Sequence, residues 1–172
     1  MGAWGPGSFE NDTALDYLHS LAEAPEGEGR DDEPGKVAFI IGPLATVQSA
    51  STDIDDMRDG DDDEEGGYLE ADLACDAIAA AEVIAAIHGK PHASFKASSA
   101  NDEDPHGAIA KWITTRGAKD KQLSSHEVRE LAISAITKIR DGGELHELWN
   151  ETEDDDASAW KAAMNDLIAR LR

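Results

Sequence analysis

A chain of 172 residues is the length of one ordinary domain, and its 40% hydrophobic content supplies enough apolar matter for a core, which excludes disorder throughout. Against 15 Lys and Arg stand 37 Asp and Glu, and the resulting formal charge of −22 repels phosphate backbones, which sets direct nucleic-acid binding aside first. Aromatics at 5% beside abundant alanine favour close-packed helices over a β-sandwich.

In chain order, residues 1–10 (MGAWGPGSFE) are glycine-rich yet carry Trp4 and Phe9, which predicts an irregular arm pinned by its rings. Asn11 or Asp12 then caps a helix with Phe9 as a hydrophobic staple, a stripe of Leu15, Leu18 and Leu21/Ala22, and a stop at Pro25. Residues 25–36 hold five acids and little that is apolar, and are expected as a solvated loop. Residues 37–50 are apolar but ambiguous. Val37 to Ile41 reads as a short buried strand or as part of a helix interrupted at Gly42-Pro43; the helix is preferred, with Leu44 to Ala50 its secure part.

Residues 53–65 carry nine acids in thirteen positions with Arg58 the only base, so the segment to Gly67 is expected as an extended, flexible acidic insertion. Residues 70–88 predict the central helix: between Leu73 and Ile87 only Asp76 and Glu82 are charged, and a helix apolar on nearly all sides is buried. It is too short to cross a bilayer, which takes about 20 residues, and His88-Gly89-Lys90-Pro91 ends it, His88 as a C-terminal cation. A short helix is expected around Ala108 to Thr114. Ser124-Ser125-His126-Glu127 reads as a capping box opening a helix with Val128, Leu131, Ala132, Ala135, Ile136 and Ile139 on its core face, stopped by Gly142-Gly143. Leu145, Leu148 and Trp149 form a further turn, and Trp160, Met164, Leu167 and Leu171 share one face of a last helix. The sum is an all-α fold: one domain over 1–172, about five or six helices around the Ala-rich one, with no clear strand.

The arm MGAWGPGSFENDTALDYL, the block YLEADLACDAIAAAEVIAA (Tyr68 to Ala86) and the stretch GGELHELWNE (Gly142 to Glu151) with Trp160 beyond resemble, in that order, a bacterial family called domain of unknown function four-two-five-nine. The acidic run before Tyr68 resembles an insertion relative to that family's usual short turn. The resemblance implies a helical fold and no active site.

Several side-chain sets are candidates for chemistry. Asp61, Asp63, Glu65, Gly66 and Asp72 loosely follow a calcium-loop order, but position five is Glu, position twelve is Asp, and no convincing helix precedes them. His88 and His92 lie four apart, as metal-binding histidines often do, but Gly89 and Pro91 separate them and no third ligand is near. Asp76 and Glu82, six apart, point to different helix faces and are expected to reach solvent or pair with Arg129 or Lys138. Cys75 is a lone cysteine, expected buried and structural. Core filling is the ordinary role for Trp112, Trp149 and Trp160, whereas Trp4 on the arm is an interface candidate. No metal, cofactor or catalytic residue is assigned.

The charge that repels nucleic acid attracts basic proteins. The leading expectation is therefore a non-catalytic protein-binding protein, an immunity-type or antitoxin-like inhibitor of a cationic partner such as a nuclease toxin. Asp53, Asp55, Asp56, Asp59, Asp61, Asp62, Asp63, Glu64 and Glu65, with Trp4, would make the contact. The alternatives are an interaction protein whose acidity only gives solubility, and an enzyme using Asp76, Glu82 and a histidine. The start of the chain carries no basic-then-apolar leader, and a cytoplasmic setting is expected.

Overall fold

The computed structural model describes residues 5–27, 34–53, 67–97, 104–152 and 154–172. Among them the chain forms α1 (Asp12–Glu23), α2 (Lys36–Ser49), α3 (Ala71–Ile87), α4 (Ala93–Ala97), α5 (Pro105–Thr115), α6 (His126–Asp141), α7 (Glu144–Asn150) and α8 (Asp154–Leu171), with a 3-10 turn at Gly117–Lys119. The all-α expectation holds. The helices outnumber the five or six expected because two are short, α4 and α7, and sequence periodicity has little to grip in one or two turns.

Helix α3 is the axis of the bundle. Every residue from Ala77 to Ile87 is buried, and α1, α2, α5, α6, α7 and α8 all touch it. Alanine explains how one helix serves so many neighbours: small side chains let backbones approach closely on every side, while Ile78, Val83, Ile84 and Ile87 fill the gaps. Helix α6 runs back along α3. It begins near the end of α3, where His88 meets the Leu123 backbone, and ends near the start, where the Glu144 N–H donates to the Leu69 carbonyl (3.0 Å).

Local side-chain caps open three of the described helices, α1, α5 and α6. The Asn11 side chain accepts from the Ala14 N–H at 2.7 Å and caps α1. Phe9 goes further than a staple, lying buried between α4 and α5 against Phe95 and two imidazoles. The cap of α6 is Ser125, whose Oγ accepts from Val128 at 3.2 Å, so Glu127 stands at the second helical position rather than the third that a capping box requires. Hydrogen bonding to its own N–H and to Ser125 still holds the Glu127 carboxyl below its ordinary range. Trp160, Met164, Leu167 and Leu171 are buried along α8, as their spacing predicts.

Two expectations need correction. Residues 37–49 are helical, as preferred, but the helix is not interrupted at Gly42-Pro43: α2 runs unbroken from Lys36 to Ser49. Nor does solvated loop extend to residue 36. Lys36 opens α2 and is buried, its ammonium donating to the carbonyls of Leu21 (2.7 Å), Ala22 (2.8 Å) and Ala24 (2.6 Å) at the end of α1. The Leu21 carbonyl lies four residues before Pro25, which has no N–H to give it, and a cation at a helix C-terminus also meets the dipole favourably. Burial nonetheless pulls the Lys36 pKa down, with Glu26 pulling it back.

Candidate functional site

The acidic segment joins α2 to α3, and its two ends are clamped together. Ser51 and Tyr68 form a parallel bridge: the Ser51 N–H donates to the Gly67 carbonyl (3.0 Å), and the Leu69 N–H donates to the Ser51 carbonyl (2.8 Å). On its other side Leu69 meets α7, whose Glu144 carboxylate accepts from the Ala71 N–H at 2.7 Å and so caps α3 with a negative charge at its positive end. The Gly142-Gly143 pair makes this approach possible. A Cβ on Gly142 would come within 2.9 Å of Thr52, and one on Gly143 within 2.9 Å of Leu69, while Gly143 also sits at φ +87°. The glycines that stop α6 also let α7 close on the stem of the acidic segment.

Acids gather at this stem. Burial raises the Tyr68 hydroxyl above its ordinary range, and the charges of Glu147, Glu144 and Asp53 raise it further. Of the expected binding residues only Asp53 lies among the described ones. Asp55, Asp56, Asp59, Asp61, Asp62, Asp63, Glu64, Glu65 and Trp4 lie outside them. Glu144 and Glu147 were missed by the sequence reading because α7 is far from the acidic run in sequence. The signal available was the paired glycine, which marks close backbone approach as well as a helix end.

The calcium-like order keeps only Asp72 among the described residues, exposed in the first turn of α3 and accepting from the Thr13 hydroxyl at 3.1 Å. No group of three or more His, Cys, Asp or Glu among the described residues is placed to hold a metal ion. His88 and His92 part company. His88 faces Leu123 and Arg129, whereas His92 packs against Phe9. His88 does end α3, but not as a cation: burial and the nearby Arg129 hold its imidazole below the ordinary range.

Asp76 and Glu82 have separate surroundings. Glu82 is fully buried and pairs with Arg170 of α8 rather than with Arg129 or Lys138, through two short contacts of 2.6 and 2.7 Å. It also accepts from the Ser8 hydroxyl at 2.7 Å. The Arg170 guanidinium is shared with Asp166 (2.7 Å) and is held well above its ordinary pKa by these carboxylates, against its own desolvation. Asp76 is half-buried, and desolvation followed by the Asp72 charge pushes its carboxyl up to about 6. The Cys75 thiol is buried and pushed up to about 12, chiefly by desolvation, which makes it unreactive. Trp112 and Trp160 are buried, and the half-buried Trp149 stacks on Trp160 with centroids 6.2 Å apart and planes 12° from parallel.

Among the described residues no helix is long and apolar enough to cross a membrane. A sequence profile described as Domain of unknown function (DUF4259) matches residues 2–39 and 40–163. No curated protein and no solved structure matches the chain.

Proposed function

The chain belongs to the DUF4259 family, and on that premise we propose that it is an acidic protein-binding protein, an immunity-type inhibitor of a cationic partner such as a nuclease. One observation carries the reading: a chain of formal charge −22 clamps the two ends of its most acidic segment between α2, α3 and α7. At the clamp the charges of Glu147, Glu144 and Asp53 all act on the Tyr68 hydroxyl. A fixed stem lowers the entropy lost when the acids meet a partner, and their summed field speeds the encounter. A nuclease cleft is basic because its substrate is polyanionic, so an acidic face fits it and excludes that substrate. Leu148, 44% exposed and next to Glu147 on α7, offers apolar surface for contact.

The test is capture from host lysate at low and moderate salt. The comparison is with a variant whose acids at 53–65, 144 and 147 are changed to Asn or Gln. Capture of a basic protein that weakens at least roughly ten-fold with salt, and likewise in the variant, supports the reading. Capture indifferent to both salt and the substitutions replaces it with an apolar interaction protein whose acidity serves solubility.

A further inference from the structure

The N-terminal arm is held at two adjacent residues of different character. Ser8 is tied through its hydroxyl to the buried Glu82–Arg170 pair. Phe9 stands edge-to-face with His92 (5.3 Å), Phe95 (5.4 Å) and His106 (4.9 Å). The box around Phe9 is therefore one phenyl ring and two imidazoles. Its His92 wall is fixed because the Ser94 N–H donates to Nδ1 at 3.2 Å, which leaves the ring's own proton on Nε2 when neutral.

His106 is the second residue of α5, with its side chain only 12% exposed. Its Nδ1 lies 3.5 Å from Asp104 Oδ1, and its Nε2 is buried with no hydrogen-bond partner among the described residues. With the neutral ring's proton on Nδ1 toward Asp104, Nε2 is bare, and the box tolerates it. A second proton can go only to Nε2, where no acceptor among the described residues waits.

We propose that His106 is an acid-released latch: protonation at its Nε2 puts an unsatisfied N–H and a charge into the box, and Phe9 leaves it with the arm. The groups facing His106 oppose one another. Asp104, at the cap of α5, favours the cation, whereas His92, His19 of α1 and the positive end of α5 itself disfavour it. Desolvation is the largest influence, and the imidazole is held below its ordinary pKa. The closed arm thus binds the proton more weakly than the open arm does. Closure is fully favoured above the ordinary imidazole value of about 6.5 and loses ground as pH falls below it.

The test is hydrogen exchange of the full chain, read by mass spectrometry at about pH 7.5 and about pH 5.5 and corrected for intrinsic rates. Protection of residues 5–10 is expected to fall by up to about ten-fold at the lower pH while α3 stays protected. His106→Phe should keep the arm protected at both, and Phe9→Ala should leave it open at both. Should His106→Phe fail to fold by circular dichroism, His106→Gln serves the same purpose. Equal arm protection at both pH values overturns the proposal. So does acid loss that survives the His106 variants, simultaneous loss in α3, or a rise in arm protection, which would mean that imidazolium–ring attraction wins. The result is independent of whether a basic partner binds the acidic stem.

Discussion

The Tyr17 hydroxyl of α1 donates to the Phe39 carbonyl of α2 at 3.1 Å, and that carbonyl lies four residues before Pro43. In an unbroken helix the N–H at residue 43 would take it, but proline has none. Tyr17 supplies the missing donor from a neighbouring helix, with its ring packed on Phe39 at 5.0 Å. Burial, then the charge of Asp76, raises the hydroxyl well above its ordinary pKa and keeps it a donor. This is how α2 tolerates a residue that costs about 3 kcal/mol in a helix interior.

Tyr17→Phe should therefore cost about 1–2 kcal/mol, since it leaves a partly buried carbonyl bare. In a Pro43→Ala background the restored N–H competes for the same oxygen, and the cost should shrink to a few tenths. Urea unfolding of the four proteins measures the coupling. Equal costs in the two backgrounds would sever the link between Tyr17 and Pro43.

Lys36 repeats the pattern at Pro25, with one ammonium serving three carbonyls. Lys36→Met keeps the aliphatic stem and removes the donors. We expect a loss of about 2–4 kcal/mol, with faster amide exchange in the last turn of α1 before any change in α8.

Glu82 is the one buried acid among the described residues, and Arg170 is its ion-pair partner. Arg170→Ala should cost about 3–5 kcal/mol, because it strands a buried carboxylate. Ser8→Ala, which removes one hydrogen bond of several, should cost only about 1 kcal/mol. A double Glu82→Gln, Arg170→Met protein should recover part of the loss; if it is worse than Arg170→Ala alone, burial of an unpaired charge is not the cause.

Asp76 gives a pH dependence of known sign. Its folded pKa of about 6 lies above the ordinary 3.8, so the folded chain binds more protons between these values and stability falls as pH rises through that window. Asp76→Asn removes the penalty. After allowance for the half-exposed site we expect a gain of about 1 kcal/mol at neutral pH, or roughly 2–4 °C in Tm, vanishing near pH 4. Thermal unfolding at both pH values decides it; a gain that persists in acid would have another origin.

Much of the fold was legible because its signals are local. The apolar run 73–87 needed only its composition to declare itself central, and Asn11 and the 124–127 stretch announced helix starts by side chains that cap. The opening arm, the central block and the Gly142 to Glu151 stretch pointed to the family that the sequence profile matches. Residues 37–50 were harder because the donor that rescues Pro43 sits on another helix. The stem was partly legible, Asp53 through its place in an acidic run, but Glu144 and Glu147 join it only through the fold.

The sequence by itself determined the helical class, the buried central helix, the excess of negative charge and the helix stops at Pro25, Gly89 and Gly142-Gly143. Each of these depends on composition or on residues a few positions apart. Only the tertiary structure decided which carbonyls Tyr17 and Lys36 would serve, that Arg170 rather than Arg129 would neutralise Glu82, and that Phe9 would sit between two imidazoles. A buried polar group must find a partner wherever the packing puts one, and that choice is made by contacts across the bundle which no local pattern encodes.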